Sequence, residues 1–116
     1  MMVDKLIELL ESLEYDVYRQ GSFSDTDTYP DSFFTYWNTE TPDHDHYDNK
    51  NYGSEWGFDV NFYSTDPDKA YQVIEDVRAL LKEKGWIVPS KGYDLYSDRP
   101  THVGRGIYVQ FLEIEE

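Results

Sequence analysis

Apolar residues recur at helical spacing over residues 3–13. Leu6, Leu9, Leu10 and Leu13 fall on one side, with Asp4, Lys5, Glu8 and Glu11 on the other. Residues 15–19 then alternate and stop at Gly21, which predicts a short strand. Residues 33–38 (Phe33, Phe34, Thr35, Tyr36, Trp37, Asn38) are rich in aromatic and β-branched types and predict a second strand. The clearest alternation follows. Trp56, Phe58, Val60 and Phe62 interleave with Gly57, Asp59, Asn61 and Tyr63, so one strand face is apolar and the other mostly polar.

A second helix is punctuated at both ends. Asp66 can cap it, Pro67 suits its first turn, and Asp68 complements the dipole. Ala70, Val73, Ile74, Val77, Leu80 and Leu81 form its apolar stripe, and Gly85 sits where a left-handed residue ends a helix. Trp86, Ile87 and Val88 predict a short extended piece closed by Pro89. Residues 107–114 predict a last strand with apolar residues on both faces, as for a strand covered on both sides. The order is α-β-β-β-α-β-β. It predicts an α+β fold: a mainly antiparallel sheet with two helices packed on one face. Residues 22–32, 39–54 and 90–102 read as long polar loops, the kind usually kept for function. No internal repeat or boundary divides the 116 residues, so they predict one domain, 1–116.

Charge changes the picture more than length does. Ten basic residues against 24 acidic ones leave −14. That field repels phosphate backbones, so nucleic acid is not an expected partner. It also favours a soluble free monomer. Acidic chains that stay disordered usually lack rings. This one has 11 Tyr, 6 Phe and 3 Trp, enough for a core and for interfaces, where Tyr and Trp are enriched. With no cysteine there is no disulfide, thiolate metal site or cysteine nucleophile. No apolar run reaches the length of a membrane span, and the first residues lack the pattern of a signal peptide. The expectation is a cytosolic chain with no membrane partner.

Chemistry offers few candidates. Asp43, His44, Asp45, His46 and Asp48 are metal-ligand types in one short segment. A closed zinc site draws about four ligands, usually from separate elements, and an EF-hand needs a glycine and a terminal Glu at set positions. The expectation is a solvated polar loop, with weak divalent-ion binding as the alternative and no cofactor. His102 stands alone before Val103. Gly104-Arg105-Gly106 lacks the Lys-Ser/Thr of a phosphate loop. It reads either as a turn into the last strand or as an exposed arginine available to a neighbouring carboxylate. No nucleophile elbow is present and no carboxylate pair stands out, so no catalytic residue is expected. Tyr29, Phe33, Tyr36, Trp37 and Trp56 could stack a sugar or base, but such rings more often pack in cores and interfaces. Tyr29, Tyr36, Trp37, Tyr47, Tyr52 and Arg105 are the interface candidates.

Several runs resemble small tail proteins of tailed phages and of prophages in Gram-positive bacteria. They are Tyr18-Arg19-Gln20-Gly21-Ser22, Tyr29-Pro30-Asp31-Ser32-Phe33-Phe34-Thr35-Tyr36-Trp37, and Thr41-Pro42-Asp43-His44. The likeness continues in Phe58-Asp59-Val60-Asn61-Phe62-Tyr63-Ser64-Thr65-Asp66-Pro67, in Gly85-Trp86, and in Pro100-Thr101-His102-Val103-Gly104-Arg105-Gly106. The element order is similar to the tail terminator (tail completion) fold. This resemblance implies a ring, usually a hexamer, that caps the finished tail tube. Its partners would be further copies of itself, the major tail tube protein and the head–tail connector. It implies assembly in the host cytoplasm, residence in the virion tail, and no active site. A charge of −14 per copy opposes ring closure in free solution, and a tube end of complementary charge would offset it. The alternatives are another neck component and an acidic DNA mimic of the anti-restriction type. The interleaving of acids with rings fits the mimic less well. A small metal-dependent enzyme using residues 43–48 and an aromatic carbohydrate-binding module are further readings.

Overall fold

A computed structural model of the chain describes residues 2–19, 30–40, 53–97 and 100–114. Its elements are α1 (Met2–Glu11), β1 (Asp16–Arg19), β2 (Ser32–Glu40), β3 (Gly53–Ser64), α2 (Pro67–Glu83), β4 (Tyr93–Leu95) and β5 (Val103–Ile114). The strands form one five-stranded sheet in the order β1-β2-β3-β5-β4. All neighbours are antiparallel except β1 and β2, which run parallel. The fold is α+β, as the sequence predicts.

Alternation in β3 decides the layers. Phe58, Val60 and Phe62 face one side and lie opposite Val109, Ile107 and Arg105 of β5. On that side Phe58, Val60, Phe62, Ile107 and Val109 join Phe34 of β2 in one buried cluster. Leu6 and Leu10 of α1 and Ala70, Val73, Ile74, Val77 and Leu81 of α2 complete it. Both helices therefore cover the same sheet face. Each fully buried Phe, Leu, Ile or Val contributes about 1.5–3 kcal/mol relative to exposure.

The predicted ends of α2 hold. Asp66 accepts a hydrogen bond from the Asp68 amide at 3.0 Å, with Pro67 in the first turn. At the far end Gly85 takes φ 90. The Gly85 amide donates to the Lys82 carbonyl and the Trp86 amide to the Leu81 carbonyl, which is the paired closure of a Schellman motif. Trp86 then enters the core beside Leu81. α1 ends at Glu11, two residues before Leu13, because the chain turns through Glu14 at φ 70.

Three expectations are corrected. First, residues 86–88 make no ladder strand. Ile87 forms one isolated bridge to Gln110, while Trp86 and Val88 are buried. The sixth element is instead Tyr93–Leu95, inside the stretch that reads as a polar loop. Second, the last strand begins at Val103, so Gly104-Arg105-Gly106 lies within β5 and is not a turn. Third, β5 is not covered evenly on both faces, since Leu112 is 44% exposed.

The face of the sheet away from the helices is closed by its own side chains. Phe33, Thr35 and Asn61 are buried there. Tyr63 stacks on Phe33 at 5.4 Å, while Tyr18 and His102 each meet that ring edge-on at 6.0 Å. Asn61 donates to the Thr35 hydroxyl at 3.3 Å, and Tyr93 donates to Asp59 at 3.1 Å. Gly104 and Gly106 make this layer possible. A Cβ on Gly106 would stand 2.7 Å from both Asn61 Oδ1 and Tyr93 Cε2, and one on Gly104 would stand 2.7 Å from Tyr63 Cε1. The bare backbone of β5 is the floor on which these rings lie.

Gly106→Ala is therefore expected to destabilise the fold by about 1–3 kcal/mol, the usual cost of overpacking. Adding Tyr93→Ala removes one of the two close contacts. Urea unfolding of the two single variants and the double variant should show a coupling of about 0.5 kcal/mol or more. Strict additivity would mean that Tyr93 does not confine position 106.

Candidate interaction surface

The exposed large apolar residues lie mainly toward the two edges of the sheet. At one edge, among the described residues, β1 pairs only with β2. The neighbouring Trp37 of β2 is 44% exposed, and the Arg19 guanidinium lies 5.2 Å from the centre of its ring. Such an Arg–Trp pair is held by the ring quadrupole. Tyr36, adjacent in sequence, points the other way and packs half-buried against the helix-side core. Tyr36, also an interface candidate, thus has a packing contact of its own.

The other edge carries β4, which among the described residues pairs only with β5. Register places Asp94 opposite Arg105, and β5 directs Arg105 to the helix side, beside Phe62. There its guanidinium stacks on Tyr71 of α2 at 4.5 Å, and Arg105 Nη1 donates to Asp94 Oδ1 at 3.0 Å. The Tyr71 hydroxyl donates to the same oxygen at 2.7 Å. The arginine side chain is only 17% exposed, whereas Asp94 is 72% exposed. The expected carboxylate neighbour is present, as Asp94, but the expected exposure of Arg105 is corrected. The glycines face one side of the sheet and the arginine the other, where its partner is supplied from within the chain.

A cleft of about 280 Å³ opens beside this trio, lined by Pro67, Ala70, Tyr71, Asp94, Leu95, Val103 and Gly104. Tyr71 is 50% exposed, Val103 40%, and Tyr96, next along the chain, fully so. The cleft is apolar with one carboxylate in its wall. Tyr71 hydrogen bonding, joined by Arg105, holds Asp94 below the usual carboxylate range. The same bond from Asp94 pushes the Tyr71 phenol up. On the opposite sheet face, burial first and then the charge and hydrogen bond of Asp59 push Tyr93 up to about 12.

His102 is buried at the start of β5. Its Nε2 bonds the Pro30 carbonyl at 2.8 Å and its Nδ1 meets the Thr101 hydroxyl at 2.9 Å. It ties the segment before β2 to β5 and so has a structural explanation. Asp43, His44, Asp45, His46 and Asp48, with Tyr29, Tyr47 and Tyr52, lie outside the described residues. Among the described residues no cluster of three or more His, Cys, Asp or Glu is arranged to hold a metal. Also among them, no helix is long and apolar enough to cross a membrane. The Tyr71–Asp94–Arg105 trio escapes sequence reasoning. The available signal is its amphipathic mismatch: Tyr71 and Arg105 stand at positions next to apolar stripes. The chain matches no protein-family model, and a search of curated proteins finds no relative.

Two titrations check this electrostatic picture. The raised Tyr93 phenol stabilises the fold fully below pH about 10, and that contribution is lost as pH rises toward 12. Thermal midpoints of the wild type should fall through this window, and Tyr93→Phe should flatten the fall. Equal slopes would mean that Tyr93 is not the group responsible. On the helix side of the same edge, Asp94→Asn should let Tyr71 ionise at lower pH, seen as an earlier phenolate absorbance rise that disappears in Tyr71→Phe. An unchanged curve would remove the Tyr71–Asp94 bond from the account.

Proposed function

We propose that this protein is a structural subunit of a phage or prophage tail, acting as the terminator ring that caps the tail tube and meets the head connector. One observation carries the reading. The exposed rings and apolar side chains include two unlike patches at opposite ends of the strand order: Trp37 with Arg19 near β1, and Tyr71, Tyr96 and Val103 near β4. A ring needs such a pair of different, mutually fitting surfaces, because each copy meets the next head to tail. The sequence likeness to phage tail proteins and the α+β order supply the particular assembly. The charge of −14 supports the order of events, with copies repelling one another until they meet a tube end.

Electron microscopy of tails from a phage lacking this gene tests the role. Tubes of abnormal and variable length are expected, with normal length restored when the protein is supplied. Tails of normal length that join heads normally would overturn the terminator assignment.

A further inference from the structure

The two sheet edges differ in chemistry in a complementary way. β1 is four residues long and β4 three, and among the described residues each pairs on one side only. Edges this short resist indiscriminate strand addition, so any specific contact there must come from side chains. At the β1 edge an exposed guanidinium lies over an exposed indole. A guanidinium carries five N–H donors, and its attraction to a ring face uses the cation's charge rather than those donors. At the β4 edge Asp94 receives both of its hydrogen bonds, from Tyr71 and Arg105, on Oδ1. Among the described residues Oδ2 takes none, and the side chain is 72% exposed. A carboxylate can accept several more bonds than this. Beneath it lies the apolar cleft walled by Ala70, Leu95 and Val103.

We propose that these edges dock on each other between copies: the Arg19–Trp37 edge of one molecule seats on the Asp94 cleft of the next. The proposal rests on the ring reading above and names its contact. Arg19 would bond Asp94 Oδ2 while Trp37 covers the exposed ring and methyls of Tyr71 and Val103. A second copy is the occupant that the molecule itself argues for. Both halves of the contact belong to one chain and stand at opposite ends of one sheet, so docking always leaves one free edge of each kind. That is the heterologous repeat from which rings close. The contact opposes a charge of −14 per copy, so it is weak at low salt and strengthens as long-range repulsion is screened, with a Debye length of about 8 Å at physiological ionic strength.

The chain contains no cysteine, which makes a crosslinking test clean. Asp16→Cys marks the β1 edge and Tyr96→Cys the β4 edge, both at exposed positions. Treated with a flexible bis-maleimide at physiological salt on tails lacking the endogenous protein, the double variant should give a ladder from dimer upward, and free in solution a much weaker one. A mixture of the two single variants should give dimer only, and each single variant alone should give none. Arg19→Glu in the double-cysteine background should reduce the ladder roughly tenfold, with the thermal midpoint confirming that the variant is folded. Dimer from a single variant alone would show like edges meeting and overturn the proposal. So would crosslinking of the Tyr96→Cys variant to a different basic protein in place of a second copy. Rings seen on tails without any cross-edge ladder would overturn this contact and leave the ring reading standing. No oligomer either free or on tails would overturn both.

Discussion

The long antiparallel pairing of β3 with β5 is the constraint on which the rest depends. Its register runs unbroken from Gly53 opposite Ile114 to Ser64 opposite Val103. A slip of one residue would turn Phe58, Val60 and Phe62 away from the helices and bring Asp59 and Asn61 under them. The same register sets Gly104 and Gly106 opposite Tyr63 and Asn61, so the rings of the far face find bare backbone to lie on. It also aims Arg105 at Tyr71 and brings β4 in with Asp94 opposite it. Core, far face and edge cleft are three results of one alignment.

What can be read from sequence is local or periodic. The two helices, the alternation of β3 and the Asp66, Pro67 and Gly85 punctuation all depend on neighbours a few residues away. β4 does not. Its three residues hold their place through partners far along the chain: Asp94 bonds Tyr71 across 23 positions and Arg105 across 11, and Tyr93 bonds Asp59 across 34. No local rule separates such a segment from a polar loop. Arg105 misleads for a related reason. Flanking glycines suggest exposure to a local reading, but on a strand they occupy the opposite face from the residue between them. The interface candidates divide the same way. Tyr36 and Trp37 look alike in sequence, and strand parity sends one into the core and leaves the other 44% exposed.

Acidity and edge chemistry act at different ranges. The net charge is a property of the whole surface and is damped by salt over a Debye length. The Asp94 carboxylate and the Arg19 guanidinium act only on contact. On the proposed docking, the net charge discourages encounters in general while one pair of surfaces favours the right one. The parallel β1–β2 pairing matters here, because it sets Arg19, the last residue of β1, opposite Tyr36 and so beside Trp37.

The three tryptophans sit at three depths, and that gives the molecule its own optical gauge. Trp86, next to the α2 terminus, is 5% exposed; Trp56 is half-buried against the core; Trp37 is 44% exposed at the sheet edge. Loss of the fold hydrates Trp86 and moves its emission to the red. Covering of the β1 edge dehydrates Trp37 and moves its emission to the blue. Unfolding and association thus write opposite signs into one fluorescence spectrum, and neither needs a label to be read.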